Sequence, residues 1–197
     1  MYISTMSGKL KGIPAINTNP LTNTFCQKMS KNDNNICKYC YSQKMLKTFR
    51  QSCVDCFTKN GKELSEIVIP EYFLPVFNSK YVRFSAHGEL INNIHLTNYI
   101  NIAKKNPSTT FALWTKRKTM VQKRISEIPD NIILVYSSPE INNIIKVPKG
   151  FHKVFNVVSK DFDIDKNLIN CGAKSCLNCQ LCYHKNNNVN VIIERVK

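Results

Sequence analysis

Tyr81-Val82-Arg83-Phe84-Ser85-Ala86-His87-Gly88-Glu89-Leu90 sets the pattern from which the rest of the chain can be read. Its first six residues read as a short strand, and Gly88 marks the turn that ends it. The amphipathic run 94–105 predicts a helix, and 110–114 predicts the next strand. The cycle then repeats: 118–128 predicts a helix ending before Pro129, 131–136 an apolar strand, 139–145 a short helix and 153–158 a strand. Residues 189–196 supply a last strand and 13–17 a first. Strands of near-continuous apolar character that alternate with helices imply a parallel sheet covered by helices. The expected fold class is α/β, a partial (β/α) barrel of about six mostly parallel strands, too few to close an eight-fold barrel. Residues 1–197 read as one domain, with a cysteine loop and helix at 20–60 and a cysteine cluster loop at 170–185. Working residues in such folds sit at the carboxyl ends of the strands. The loops after 13–17 and after the Tyr81 strand both belong to that edge.

The same two regions hold all nine cysteines, in two groups separated by more than a hundred cysteine-free positions. Cys26, Cys37, Cys40, Cys53 and Cys56 form the first, and Cys171, Cys176, Cys179 and Cys182 the second. An odd number of densely spaced cysteines reads as metal ligands more readily than as disulfides. Cys26, Cys37 and Cys40 suit a four-iron cluster with three protein ligands and one open iron. Cys171, Cys176, Cys179 and Cys182 contain the C-x2-C-x2-C run of bacterial ferredoxins, without the cysteine-proline that follows there, and so suit a closed four-ligand centre. One or two 4Fe-4S clusters are expected. The alternative is zinc, since Cys37-x2-Cys40 and Cys53-x2-Cys56 approach the spacing of a four-thiolate ribbon.

Cys37-Lys38-Tyr39-Cys40-Tyr41 resembles the C-x-aromatic-C half of the cysteine loop in radical S-adenosylmethionine enzymes, although ten residues separate Cys26 from Cys37. Phe84 to Leu90 resembles that family's strand ending in Gly-Gly-Glu, with His87 in place of the first glycine. The segment Leu113-Trp114-Thr115-Lys116-Arg117 resembles a strand end of phage-encoded relatives of spore photoproduct lyase. The overall layout is similar to a phage family called gene product eighty-eight. The resemblance implies that Cys26, Cys37 and Cys40 hold the main cluster. It also implies that Tyr39, Gly88 and Glu89 bind S-adenosylmethionine, whose methionine group would chelate the open iron. One electron would then cleave the sulfonium to a 5′-deoxyadenosyl radical, chemistry that belongs to the cofactor. It implies no particular catalytic side chain or substrate.

The net charge of +15 points to a polyanionic partner, nucleic acid or a nucleotide, although metal-bound thiolates would reduce it. An electron donor is expected as a second partner if the centre is reduced in turnover. A non-catalytic basic nucleic-acid-binding protein stapled by zinc or a cluster is the competing class. No run of about 18 apolar residues is present and the first residues lack a signal-peptide core, so the expectation is a cytoplasmic protein without a membrane partner, in the host cytoplasm if phage-encoded. Lys116-Arg117-Lys118 and Lys123-Arg124 are the densest basic pieces. His87 is expected at the active edge, with a side chain able to titrate near neutrality. His184, close to Cys182, is an alternative ligand, whereas Trp114 and Tyr136 suit either core packing or a base stack.

Overall fold

In the computed structural model, which describes residues 1–185 and 188–196, the alternating pattern builds one seven-stranded sheet. Strands β1 (Ser4–Thr5), β2 (Pro14–Ile16), β3 (Tyr81–Phe84), β4 (Thr110–Thr115), β5 (Ile132–Ile141), β6 (Lys153–Val158) and β7 (Val191–Arg195) lie side by side in sequence order. β1 pairs antiparallel with β2, and every pairing from β2 to β7 is parallel. Six parallel strands in sequence order require crossovers that all turn the same way, which puts the helices on one face of the sheet. That is the wall of a partial barrel.

The helices are α1 (Thr24–Met29), α2 (Tyr41–Lys47), α3 (Cys53–Glu66), α4 (Asn93–Lys105), α5 (Lys118–Gln122) and α6 (Cys176–Cys179). Side chains alternate along each strand, so one set faces the helices and the other the barrel interior. Val82, Phe84, Phe111, Leu113, Ile132 and Leu134 pack against Leu64 of α3 and Leu96, Tyr99 and Ile102 of α4. Phe84 stacks on Tyr99 at 4.0 Å and on Phe111 at 4.6 Å. The opposite set, including Tyr81, Ala112, Ile133, Val135 and Phe155, is covered by Leu181, Cys182 and Tyr183 of the carboxyl-terminal loop. The second cysteine group thus folds onto the inner face of the sheet.

Two sequence expectations are corrected. Residues 139–145 do not form a helix: β5 runs on to Ile141, whose N–H donates to the Asn34 carbonyl at 3.3 Å, and Asn142 donates to Val157 at 3.0 Å. The extension props the cysteine loop, and these distant partners outweigh local preference. The helix of 118–128 stops at Gln122, and a separate turn covers Ile125–Glu127. The short α1 and α6, the longer α3 and the two-residue β1 are elements that the sequence reading lacks. Asn60 ties α3 to the β1 end of the chain, exchanging bonds with the Tyr2 backbone and donating to Asn17 O at the end of β2.

The buried His95 of α4 makes the fold sensitive to acid. Its Nδ1 accepts from Ile91 N at 3.2 Å and its Nε2 is buried without a hydrogen-bond partner, so the ring is neutral. Burial, reinforced by the Arg117 charge, lowers its pKa from 6.5 to about 3. The unfolded chain takes up a proton that the folded chain refuses, so stability is lost as pH falls below about 6.5, at about 1.4 kcal/mol per pH unit. The urea midpoint should therefore drop between pH 7 and 4. His95→Gln, which retains an acceptor and takes no charge, should make the slope shallower, the remainder coming from His87 and His152, whose pKa values burial also lowers to about 4. A wild-type midpoint constant over that range would contradict this account.

Candidate functional site

The loops at the carboxyl ends of β2 and β3 are bound to each other before any ligand is considered. Asn17 Oδ1 accepts from His87 N at 2.8 Å, Thr18 N donates to His87 O at 3.1 Å, and Asn23 Nδ2 donates to Glu89 O at 3.0 Å. Asn23 also caps α1, accepting from Phe25 N and Cys26 N, and so couples the Glu89 turn to the helix carrying Cys26. Cys37 lies in the turn Ile36–Tyr39, where the Asn35 side chain accepts its N–H at 3.1 Å, and Cys40 stands at the amino end of α2. The ten residues after Cys26 are used to finish α1 and return, which brings Cys26, Cys37 and Cys40 within electrostatic range of one another. Burial raises the Cys26 and Cys37 thiols well above their ordinary value, reinforced for Cys26 by the nearby Glu89 charge and opposed at both by Lys116.

Gly88 takes φ +85, and a Cβ there would lie 2.2 Å from Thr18 Oγ1 and 2.4 Å from Thr18 O. The turn therefore requires glycine. Glu89 is buried and receives three protein donors: Thr115 Oγ1 at 2.6 Å, Leu90 N at 2.8 Å and Lys116 N at 2.7 Å. Burial raises its pKa and those three bonds oppose the shift. It ties the ends of β3 and β4 together and still lines the cavity. His87 Nδ1 lies 2.7 Å from Ser42 Oγ and its ring stacks on Phe57 at 5.8 Å. Burial and the Arg83 charge depress its pKa to about 4, so it is neutral near pH 7 and the expected titration near neutrality is corrected.

The second thiol group surrounds a crevice of about 30 Å³ lined by Cys171, Cys176, Cys179 and Cys182. Burial raises Cys171 to about 11 and Cys182 to about 12. Around it stand Lys9, which bonds Glu194 at 2.7 Å, and Arg83. Arg83 went unmarked in the sequence. It is buried, stacks 3.8 Å above the Trp114 ring, leaves Nε without a hydrogen-bond partner, and makes no ion pair among the described residues. A buried guanidinium without an ion pair is costly even when it is stacked on a ring, and the thiols of Cys176 and Cys182 are the groups that would answer it as thiolates.

Both thiol groups open on one cavity of about 810 Å³ at the carboxyl edge of the sheet. Cys26, Cys37, Cys40, Cys171, Cys176 and Cys182 line it together with Tyr39, Gly88 and Glu89. Cys53 and Cys56 are elsewhere, packed against Met45, Leu46 and Phe57. Among the described residues no three His, Cys, Asp or Glu side chains are grouped to hold a single metal ion. Three residues of the basic pieces are engaged: Arg117 donates to Leu90 O and Ile91 O, Arg124 pairs with Glu127, and Lys116 Nζ donates to Ser137 Oγ at 2.7 Å inside the cavity. His184 bonds Tyr81 OH and Gln180. Trp114 and Tyr136 are taken up in packing, against Phe155 and Phe151. No helix of the described residues is long and apolar enough to cross a membrane. Comparison with protein-family models, curated proteins and solved structures finds no match for the chain.

Proposed function

We propose that this chain is an iron-sulfur protein of the radical S-adenosylmethionine kind, with Cys26, Cys37 and Cys40 holding a cluster that keeps one iron open. The observation that carries the reading is the single cavity shared by those three thiols, the Ser85–Glu89 turn and Tyr39. Thiols forced up by burial become thiolates only beside strong positive charge, which a cluster supplies. When bound, the reduced cluster supplies one electron to the sulfonium of S-adenosylmethionine.

The chain's own residues do the rest. Asn17 and Asn23 hold the turn against the cysteine loop, and Gly88 lets the turn close on Thr18, so that the methionine group would be held beside Glu89. Glu89, whose carboxylate already receives three protein donors, would accept the amino group through its remaining capacity. Tyr39, which lines the same cavity, would lie against the cofactor.

Cys171, Cys176, Cys179 and Cys182 hold a second, closed centre, and Arg83 answers its negative charge. The ferredoxin spacing favours a cluster. A single zinc ion is the alternative, for which these four thiols would have to close in, since they are not grouped around one ion. Anaerobic purification with iron, acid-labile sulfide and zinc counted tests both readings. About eight irons per chain mean two clusters, and about four irons with one zinc mean one cluster and a zinc site. Zinc without sulfide would contradict the proposal.

A further inference from the structure

The mouth of the cavity carries a surface that neither metal centre explains. Tyr41 and Phe49 line it while remaining 61 % and 62 % exposed. Large rings left in water around an opening mark a surface that expects a ligand. α2 supplies the reason for the arrangement: Met45 and Leu46 are buried beneath it, which turns Tyr41, Lys44 and Lys47 outward, and Phe49 and Arg50 follow on the same exposed stretch. The Tyr41 ring lies 6.3 Å from that of Phe49, tilted at 55°, and 6.3 Å from that of His87, and both Tyr41 and Phe49 still keep most of their surface in solvent.

The charge around these rings has one sign. Between Asp33 and Asp55 the chain has no acidic residue and four basic ones, Lys38, Lys44, Lys47 and Arg50. Lys38 pairs with Asp33, whereas Lys44, Lys47 and Arg50 make no ion pair among the described residues. Cations that track a phosphate backbone, interleaved with rings on which bases stack, are what a single strand recognises. An acidic protein would match the charges but leave the rings without a purpose. A duplex keeps its bases stacked internally and offers them no face.

We propose that this rim is a stacking platform for single-stranded nucleic acid, with Tyr41 and Phe49 receiving bases and Lys44, Lys47 and Arg50 receiving phosphates. An unstacked base next to the rim has the cavity open beside it, as enzymes that act on a base require. Presentation to the cavity rests on the function proposed above. Binding at the rim does not.

The test uses the anaerobically purified protein and a short fluorescent oligothymidylate, read by anisotropy. The strand should bind more tightly than a duplex of equal length. Tyr41→Ala combined with Phe49→Ala should weaken it about tenfold or more, whereas Tyr41→Phe keeps the ring and the affinity. Lys44→Ala with Lys47→Ala should reduce the slope of log affinity against log salt by about 0.7 for each phosphate that is no longer neutralised. No binding, equal binding of duplex, or an alanine variant that binds like wild type would overturn the proposal. So would displacement by polyglutamate as effective as by unlabelled strand at equal charge, which would identify an acidic protein as the partner. Metal content and response to S-adenosylmethionine are measured on the same sample. Strand binding without that response would retire the enzyme reading and leave the platform standing, and the converse result would do the reverse.

Discussion

Gly88→Ala is expected to destabilise the fold by about 3 kcal/mol or more, the sum of a left-handed backbone strain and an overlap that no rotamer relieves. The methyl group would meet Thr18 Oγ1 at 2.2 Å and, decisively, the Thr18 backbone at 2.4 Å. A flexible side chain could retreat, but Thr18 N is tied to His87 O and cannot move without opening the β2–β3 edge. Two other glycines separate the contributions. Gly8 has φ +61 with nothing within 4 Å of where a methyl group would sit, so Gly8→Ala should show the strain alone, about 1 kcal/mol. Gly172 has open space and no left-handed φ, so Gly172→Ala should be neutral. Urea unfolding of the three variants should rank them in that order, and a Gly88→Ala midpoint close to that of Gly172→Ala would refute the geometry of the turn. Because Glu89 follows directly, the same variant should also lose any response to S-adenosylmethionine.

Cys40→Ala is the second large effect expected. It should remove about four irons per chain, because a cube left with two protein ligands is not retained. The second centre should survive, since its four thiols belong to a separate loop that packs on Ile133, Val135 and Phe155. Cys182→Ala should do the reverse, emptying the closed centre while the first cluster stays. Cys53→Ala is the control: that thiol packs beside Met45, Leu46 and Phe57, so the change should cost only packing, about 1 kcal/mol, and leave metal content unchanged. Full iron retention in Cys40→Ala, or metal loss in Cys53→Ala, would show that the ligands are assigned wrongly.

The strands were legible because their signal is local. Residues 81–86, 110–114, 131–136 and 153–158 are apolar runs between helix periods, and each became a parallel strand. Where a distant partner decides, the local pattern misleads: 139–145 reads as a short helix, whereas β5 runs on to Ile141, whose N–H reaches Asn34 more than a hundred residues earlier. α3 was hidden for another reason. Two of its buried positions are Asn60 and Gly61, which dilute the apolar period, and Cys53 and Cys56 drew the reading toward a metal. In the site, the spacing of the cysteines pointed to both thiol groups, and Gly88 and Glu89 lie at the cavity as expected. Arg83 was missed although it shares a strand face with Tyr81. Alternation places it opposite Val82 and Phe84, yet only the position of the helices says which of the two faces is the inner one.

The sharpest test of an open iron beside the Ser85–Glu89 turn is electron paramagnetic resonance of the reduced, anaerobic protein with and without S-adenosylmethionine. If Cys26, Cys37 and Cys40 leave one iron to the cofactor, the cluster signal changes on addition and that change is absent in Cys40→Ala. A cluster signal that ignores S-adenosylmethionine in the wild-type protein would contradict the account.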